Sequence, residues 1–413
     1  MDKKIDKPRH APMAQFPVAD GELLIGGIPV TRLARRVGQT PFYAYDRRLL
    51  TQRVTDLRAL LPADIHFHYA IKANPMPAVV QHMASLVDGL DVASLGELRV
   101  ALDTGTDPAV ISFAGPGKND NELAAAIASG ITINLESEGE MERAARIGSA
   151  AGMRPRVAVR VNPDFELKSS GMKMTGGPKA FGVDAERVPA MLRRIGDLDL
   201  DFQGFHIYSG SQNLKPESII EAQNQTLDLA LRLAADAPGP VRLLNIGGGF
   251  GIPYFAGEQP LDLAPIGENL AERLPPVKEA MPRAEIVIEL GRYLVGEAGV
   301  YVAKVVDRKL SKGQAFLITN GGLHHHLAAS GNFGQVIRKN YPVAVANRMT
   351  AGPAETANVV GPLCTPLDIL ADKMELPVAG PGDLIAVFQS GAYGFTASPH
   401  GFLGHAAPVE VLV

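Results

Sequence analysis

The sequence between about residue 65 and residue 290 alternates short apolar runs with segments of helical composition. Eight runs rich in β-branched or apolar residues begin near Ile65, Gly89, Ala109, Ile131, Arg156, Phe202, Val241 and Glu285. Segments such as 77–86 and 137–151, which lie between them, are rich in Ala, Leu, Arg and Glu. This alternation predicts an α/β fold with a parallel sheet, and eight repeats are the number that closes a (β/α)8 TIM barrel. An open doubly wound sheet has the same alternation, so strand counting alone does not exclude it.

The pattern changes after about residue 293. Strand-like runs joined by Gly- and Pro-rich turns follow there without regular helices, at 300–306, 315–319, 341–346, 357–360, 383–388 and 409–413. This pattern is typical of an antiparallel β-domain. We therefore predict three segments: an N-terminal lead and hairpin at 1–40 that pairs with the β-domain, a barrel at 41–292, and the C-terminal β-domain at 293–413.

The composition fits a globular enzyme and argues against several other classes of protein. Hydrophobic residues make up 46% of the 413 residues and charged residues 20%, which is ordinary for a globular chain. A net charge of −4 gives no reason to expect nucleic acid or a membrane surface as a partner. The single cysteine, Cys364, fits a reducing compartment. Neither a signal peptide nor a membrane span is recognisable, so we predict a cytoplasmic location.

Lys72 is the first candidate for chemistry. It follows an apolar-alternating run at 65–71 that predicts a strand directed at a core, and Asn74-Pro75 then predicts a turn. A lysine packed among apolar residues is expected to have a lowered pKa. Its neutral amine can form a Schiff base with an aldehyde. The alternative is a strand-end lysine that reaches into water, and this heptapeptide alone does not decide between the two.

Polar or flexible groups follow nearly every predicted strand of the barrel. Active sites of such barrels form at the carboxyl ends of the strands, and a purely structural barrel would not need these groups there. The residues are Lys72, Asp91, Glu136, Arg160, His206, Tyr208, Ser211, Gly247, Gly248, Gly249, Glu289 and Arg292.

The glycine run at 247–249 is a candidate phosphate site. Glycines let successive backbone N–H groups approach an anion closely, although a tight structural turn needs the same residues. Arg292 offers a guanidinium suited to phosphate. A lysine for imine formation, a phosphate site, and a carboxylate such as Glu289 to keep a pyridine nitrogen protonated are together what pyridoxal 5′-phosphate requires. Glu289 favours reactions through a quinonoid intermediate, decarboxylation among them.

Seven motifs, in this order, resemble the fold-type III pyridoxal-phosphate decarboxylases, which include the diaminopimelate and ornithine/arginine decarboxylases. The motifs are Y-A-I-K-A-N-P at 69–75, D-V-A-S-L-G-E at 91–97, G-S-Q at 210–212, G-G-G-F-G at 247–251, E-L-G-R at 289–292, G-P-L-C-T-P-L-D at 361–368 and G-A-Y at 391–393. The resemblance runs from about residue 20 to the C-terminus. It implies an alanine-racemase-like barrel followed by a β-domain. It also implies a head-to-tail homodimer in which each active site takes residues from the partner's β-domain.

The resemblance also implies roles for single residues. Lys72 would be the Schiff-base lysine, Arg160 would approach the phenolic oxygen of the cofactor, and Glu289 would hold its pyridine nitrogen. Cys364 of the partner subunit would protonate Cα after carbon dioxide leaves, although a lone cysteine is by itself more often an inert thiol. The implied cofactor-binding residues are Lys72, Asp91, Arg160, His206, Tyr208, Ser211, Gly248, Gly249, Glu289, Arg292 and Tyr393.

Three positions depart from the family's pattern. Tyr208 stands where the family has a histidine that stacks on the pyridine ring, and His206 lies two residues earlier, so either aromatic could cover the ring. The family's E-P-G-R is E-L-G-R here, which loses the proline. Thr365 follows the cysteine, where diaminopimelate decarboxylases have a glutamate that reads the substrate's distal ammonium and ornithine decarboxylases have an aspartate.

The substrate pocket is therefore expected to be unusual. The segment that carries an arginine in the family is the histidine triplet here, and in an extended segment only His324 and His326 would share a face. The triplet is read either as a structural loop or as part of the pocket rather than as a metal site, and the pocket candidates are His324, His326, Arg292 and Thr365. The motifs resemble most a subgroup that contains the butirosin-pathway decarboxylase of a carrier-tethered glutamyl group and decarboxylases found beside exosortase systems.

The expected activity is decarboxylation of an amino acid, either free or tethered to a carrier protein. Diaminopimelate, ornithine or lysine decarboxylation proper is the alternative. An amino-acid racemase would typically hold the pyridine nitrogen with an arginine, so Glu289 argues against it. A non-catalytic pyridoxal-phosphate protein would leave the residues after Arg292 unexplained.

Overall fold

The computed structural model describes residues 10–165, 172–173 and 177–413; residues 1–9 of the predicted lead lie outside this range. The chain forms two compact units. One contains the described chain up to Gln52, Ile252–Pro260 and Arg292–Val413; the other contains Arg53–Gly251, apart from the undescribed residues, and Leu261–Gly291. We call them the β unit and the barrel unit.

The N-terminal part of the β unit is a small antiparallel sheet of β1 (Val18–Ala19), β2 (Glu22–Ile25) and β3 (Ile28–Pro29), followed by α1 (Val30–Val37) and β4 (Phe42–Tyr45). Leu23 donates its N–H to the carbonyl of Ala346 at 2.8 Å, and Leu23 and Ile25 lie in a buried core with Val300 and Phe388. The hairpin thus packs on the rest of the β unit, while β4 is the strand of this region that joins its large sheet.

The barrel unit contains eight parallel strands that close on themselves. The barrel strands are β5 (Ile65–Ala70), β6 (Gly89–Val92), β7 (Ile111–Phe113), β8 (Thr132–Leu135), β9 (Arg156–Asn162), β12 (Asp201–His206), β14 (Leu243–Gly248) and β15 (Glu285–Leu290). Three short strands lie outside the barrel: β10 (Met172–Lys173) pairs with β13 (Gly210–Ser211), and β11 (Val183–Asp184) pairs with β9. The barrel order is β5-β6-β7-β8-β9-β12-β14-β15, and β15 pairs in parallel with β5. The predicted barrel is confirmed, and the open-sheet alternative is wrong.

Helices follow the sequence signals closely in this part of the chain. They are α2 (Arg47–Leu60), α3 (Pro77–Ala84), α4 (Leu95–Asp103), α5 (Asp120–Ser129), α6 (Glu138–Ala151), α7 (Val188–Asp197), α8 (Pro216–Ala234) and α9 (Ala264–Ala280). Ser94, Asn119 and Ser137 each cap a helix by accepting the N–H of the residue three positions later. Such caps contribute about 1 kcal/mol each. A 3-10 turn at Pro108–Val110 delays the third barrel strand to Ile111, two residues later than predicted.

The large sheet of the β unit is mixed. It follows α10 (Arg292–Val295) and contains β16 (Gly299–Ser311), β17 (Gln314–Thr319), β18 (Val343–Val345), β19 (Glu355–Val360), β20 (Ile369–Leu376), β21 (Leu384–Val387) and β22 (Val409–Leu412), together with β4. Its pairs are antiparallel except β17 with β19 and β22 with β4. The long connection between β17 and β19 permits the first parallel pair, since parallel neighbours need a crossover. The predicted β-domain is therefore present with two parallel pairs, and β20 is an additional strand. In the described part of the chain, no helix has the length and apolarity needed to cross a membrane.

Candidate active site

Lys72 lies directly beyond β5, in a 3-10 turn at Ile71–Ala73. Its Nζ is 3.7 Å from Oε1 of Glu289 and 5.7 Å from the centroid of the Tyr208 ring. The side chain is 45% exposed. The sequence left open whether apolar residues enclose this amine or it reaches into water; in the structure the side chain is partly exposed, with a carboxylate and an aromatic ring as neighbours.

Glu289 lies near the end of β15 and is buried. His206, at the end of β12, places Nε2 at 3.0 Å from Oε2 of Glu289, while the Lys72 ammonium faces Oε1. Burial raises the pKa of Glu289, but Lys72 and His206 outweigh burial, so the pKa falls below its usual range. Glu289 is accordingly a carboxylate at neutral pH. One of its oxygens faces Lys72, beyond β5, and the other faces His206, at the end of β12.

The two candidate stacking aromatics have different surroundings. His206 is fully buried, and its hydrogen bond to Glu289 fixes the orientation of its ring. Tyr208 is half-buried, and its ring lies beside the Lys72 ammonium, with its centroid 6.5 Å from that of His206. The ring of Tyr208 is therefore the more accessible of the two on the side of Lys72.

The glycine turn after β14 leaves no room for side chains. A Cβ on Gly248 would lie 2.1 Å from the carbonyl oxygen of Glu289, and one on Gly249 would lie 2.2 Å from that of Gly210. Gly249 also has a φ of 75°, which favours glycine. Asn213 donates its N–H to the carbonyl of Gly249 at 3.0 Å, which joins this turn to the loop containing Ser211. The predicted phosphate residues thus lie in two segments that backbone contacts hold together. Gly248 ends β14 and Gly249 follows it, and Ser211 is in β13.

Asp91, at the carboxyl end of β6, is held by a buried polar network. Its Oδ1 accepts a hydrogen bond from Oγ of Ser112 at 2.6 Å and lies 3.2 Å from Nδ1 of His68. Burial lowers the pKa of His68, but the Asp91 carboxylate outweighs it and the pKa is raised. The resemblance implies Asp91 as a cofactor-binding residue; the structure shows it bound to His68 and Ser112.

Glu136 organises the ends of neighbouring strands. Its Oε1 accepts hydrogen bonds from Nη1 of Arg160 at 2.7 Å and from the N–H of Gly115 at 2.6 Å, and its Oε2 accepts the N–H of Gly182 at 2.8 Å. Burial raises the pKa of Glu136, but the Arg160 guanidinium outweighs burial and the pKa is lowered. The Arg160 guanidinium also lies 5.0 Å from the ring of Phe181. The sequence shows Glu136 only as a polar strand end; its three donors come from three separate segments, so no local signal reveals this role.

Arg292 and Tyr393 meet in the β unit. The guanidinium of Arg292 lies 4.8 Å from the centroid of the Tyr393 ring, and its Nη1 donates to the hydroxyl of Tyr254 at 3.0 Å. Burial lowers the pKa of Arg292, but the two tyrosines outweigh burial and raise it, so the guanidinium stays charged. Tyr393 has a φ of 53°, a conformation that bulky residues adopt at a cost and that often marks functional sites. Tyr254 is a member of this cluster that the sequence analysis did not identify.

Cys364 is a free, exposed thiol on the loop before β20. Asp368 fixes this loop, since its Oδ2 accepts the N–H of Leu363 at 2.8 Å and its Oδ1 accepts the N–H of Leu323 at 2.5 Å. A Cβ on Gly322 would lie 2.1 Å from Oδ1 of Asp368, so the residue must be a glycine for the two loops to meet. The loop with Cys364 and Thr365 is thereby joined to the loop with the histidine triplet.

The histidine triplet forms a turn. His325 and His326 both donate their backbone N–H to the carbonyl of Gly322, so the predicted extended segment, with His324 and His326 on one face, is wrong. Nδ1 of His326 accepts the N–H of Ala329, which places the ring proton on Nε2, 2.9 Å from Oγ of Ser390. The ring of His326 is thus fully engaged within the protein.

His324 differs from its neighbour. It is fully buried, and neither ring nitrogen has a hydrogen-bond partner within the described residues. Burial, with a smaller effect of His405, lowers the pKa of His324 to about 4, and burial lowers that of His326 to about 3. Both rings are neutral at pH 7. The described residues include no group of three or more His, Cys, Asp or Glu side chains placed to hold a metal ion.

Known proteins with similar sequences and structures identify the family. The profile described as pyridoxal-dependent decarboxylase, pyridoxal binding domain, matches residues 47–296. The chain is 38% identical over 389 residues to L-glutamyl-(BtrI acyl-carrier protein) decarboxylase of Niallia circulans, covering 93% of this chain and 90% of that protein. It is 33% identical over 384 residues to diaminopimelate decarboxylase of Aquifex aeolicus, with coverages of 92% and 88%. The crystal structure of diaminopimelate decarboxylase from Helicobacter pylori complexed with L-lysine matches with a TM-score of 0.79 at 26% identity, covering 93% of this chain and 94% of that chain. The chain belongs to the pyridoxal-dependent decarboxylase family.

Membership confirms the reaction class and cofactor expected from the motifs: this pyridoxal-dependent decarboxylase is a carboxy-lyase that uses pyridoxal 5′-phosphate to decarboxylate an amino acid. The predicted likeness to the glutamyl-carrier decarboxylase is also confirmed. The barrel residues fit the cofactor on structural grounds. A lysine amine lies beside a buried, ionised carboxylate, and the turn at Gly248 and Gly249, where a Cβ would clash, has the glycines that let backbone approach a phosphate closely.

Proposed function

We propose that this decarboxylase acts on an aminoacyl group tethered to a carrier protein. The observation that carries the proposal is the absence of a negative charge on the residues expected in the substrate pocket, among which Arg292 is positively charged. Thr365 is uncharged, and the lowered pKa values of His324 and His326 keep both rings neutral at pH 7. A free diamino acid presents a distal ammonium, which is costly to bury without a carboxylate. An acyl group joined to a carrier has lost the charge at that end.

The relative from Niallia circulans supports this choice of substrate class. Its name describes a decarboxylase of an L-glutamyl group on an acyl-carrier protein. The diaminopimelate decarboxylases are also related, but at a lower identity of 33% or less. We therefore favour a tethered aminoacyl group, with glutamyl as the first conjugate to test.

Bound pyridoxal 5′-phosphate supplies an electron sink for the bond that breaks at Cα. In our proposal the Lys72 amine would hold the cofactor's aldehyde carbon. Glu289, which His206 fixes, would hold a proton at the pyridine nitrogen, and Tyr208 would contact the ring. The side chain of Arg160, which Glu136 holds, supplies positive charge near the phenolic oxygen. The phosphate contacts proposed from the resemblance are Ser211, Gly248, Gly249, Arg292 and Tyr393.

We also propose a head-to-tail homodimer in which Cys364 of the partner subunit delivers a proton to Cα. The exposure of this thiol supports the assignment, because a proton donor to another subunit's site must be accessible. A cytoplasmic location is part of the proposal, since the thiol must stay reduced. Mixing inactive Lys72→Ala and Cys364→Ala chains tests the arrangement: activity should return in heterodimers, which hold one intact site. Failure to regain activity despite subunit exchange would refute shared sites.

Carbon dioxide release by the cofactor-loaded protein tests the substrate proposal. The panel contains a glutamyl-carrier conjugate and free L-glutamate, L-lysine, L-ornithine, L-arginine and meso-diaminopimelate. We expect release from the conjugate and little from the free amino acids. Comparable or faster release from a free diamino acid would overturn the proposal.

Position 365 offers a matched pair of variants. Thr365→Ser keeps a neutral hydroxyl that can accept the N–H of Leu367, as Thr365 does at 3.3 Å. Thr365→Glu places a carboxylate after the cysteine. We expect Thr365→Ser to keep the preference for the conjugate and Thr365→Glu to shift it toward free diamino acids. Equal preferences in both variants would remove this position from substrate selection.

A further inference from the structure

The barrel unit has a cavity of about 460 Å³ at the amino-terminal ends of its strands. Most of its lining comes from the first residues of β7, β8, β9, β14 and β15 and from the segments just before them, and His68 of β5 and Gln203 of β12 complete it. Glu285 opens β15 on this side, whereas Glu289 ends it near Lys72. Four residues of strand separate the two by about 13 Å. The cavity therefore lies at the opposite ends of the strands from Lys72 and Glu289, and it shares with the site described above only the wall formed by His68 and Ser112, which hold Asp91.

Three arginines converge on this cavity. Arg156 and Arg242 lie at or just before β9 and β14, and Arg283 precedes β15. Arg242 is paired with Asp201, but neither Arg156 nor Arg283 has a carboxylate partner within the described residues. Glu285 is the acidic residue of the lining. The three guanidiniums outnumber the two carboxylates, those of Asp201 and Glu285, so the net charge here is positive.

Hydrogen-bond donors in this lining are incompletely used. Nε of Arg156 and Nε of Arg242 are buried and lack a partner in the part of the chain that the structure describes. The remaining contact of Arg156 is a long one, from Nη2 to the carbonyl of Ala109 at 3.3 Å. A buried donor without an acceptor destabilises the folded protein. Oxygens of an anion in the cavity would relieve this cost.

We infer that this cavity binds a small organic anion with two or more carboxylate or phosphate groups. Its volume lies in the range of about 300–1,000 Å³ that is usual for small-molecule sites. Guanidiniums recognise carboxylate and phosphate through paired N–H donors. His68 and Ser112 also line the cavity, and their hydrogen bonds to Asp91 make this part of the wall polar and fixed.

Calorimetric titration of the cofactor-loaded protein at low ionic strength tests the inference. The cofactor fills the catalytic phosphate site, so binding there does not confuse the result. Succinate and citrate test carboxylates, inorganic phosphate tests the phosphate group, and glycerol is the neutral control. We expect saturable binding of one anion class and none of glycerol. Absence of saturable binding by every anion at millimolar concentration would overturn the inference.

Variants locate the binding. The double variant Arg156→Gln, Arg283→Gln should weaken binding by about a hundredfold, since loss of each charged contact weakens binding by about tenfold or more. Arg194→Gln is the matched control, because Arg194 pairs with Glu142 and both are about half exposed. An unchanged far-UV circular dichroism spectrum and unfolding midpoint would show that the double variant is folded. Equal affinity in the double variant and the control would place the anion elsewhere and refute the site.

Discussion

Replacing Glu136 by glutamine is expected to destabilise the protein strongly at pH 7. The amide has the same size, but its NH2 group must face either the N–H of Gly182 or the donors from Gly115 and Arg160. One buried donor then loses its acceptor, which costs about 1–3 kcal/mol. Arg160, which is 7% exposed, also loses its countercharge. Removing one partner of a buried ion pair costs about 3–5 kcal/mol in total.

The stability difference between wild type and Glu136→Gln should also depend on pH. The pKa of Glu136 is lowered in the folded protein from an ordinary value of 4.5. A carboxyl with a depressed folded pKa stabilises the fold fully above its unfolded pKa, and this contribution is lost as the pH falls through the folded pKa. The difference between wild type and Glu136→Gln should therefore be constant above about pH 5.5 and shrink below 4.5.

Urea unfolding of the cofactor-free protein, followed by far-UV circular dichroism, measures the difference. Glu142→Gln is the matched control, since Glu142 pairs with Arg194 at 2.7 Å and both side chains are 47% exposed. Exposed pairs contribute only about 0–1 kcal/mol. Cofactor affinity, read from absorbance, should fall for Glu136→Gln and not for Glu142→Gln. A loss below about 1 kcal/mol, or the same loss in both variants, would refute the reasoning.

Three further predictions test the remaining assignments. Glu289→Gln should keep the cofactor but slow carbon dioxide release by about 10²–10⁴-fold, the usual contribution of a positioned acid or base; full activity would remove Glu289 from the mechanism. Asp368→Asn should lower both stability and the fraction of turnovers that end in correct decarboxylation, because it releases the Cys364 loop. Asp383→Asn is the control, since Asp383 is another carboxylate of the β unit that accepts a backbone N–H. It should affect stability alone. Tyr208→Phe should retain cofactor affinity and Tyr208→Ala should lose it; equal loss in both would argue against stacking.

The sequence by itself determined the architecture and the main chemical groups. Alternation of apolar and helical segments predicts the eight barrel strands, since each strand must be buried and each crossover needs a helix. Lys72 and Glu289 were identifiable because they stand at the ends of such strands, and the glycine run because few other residues permit its turn. These are local signals, carried by residues close together in the chain.

Only the tertiary structure decided which groups meet. Asp368 binds Leu323 across 45 residues of sequence, and Glu136 binds Gly182 across 46, so no periodicity predicts either contact. The turn of the histidine triplet and the arginine-lined cavity also went unpredicted, and the sequence did not decide whether the Lys72 side chain is exposed. The physical reason is common to all of them. Burial, hydrogen bonding and charge pairing depend on neighbours in space, and the closed barrel brings together strand ends that are far apart along the chain.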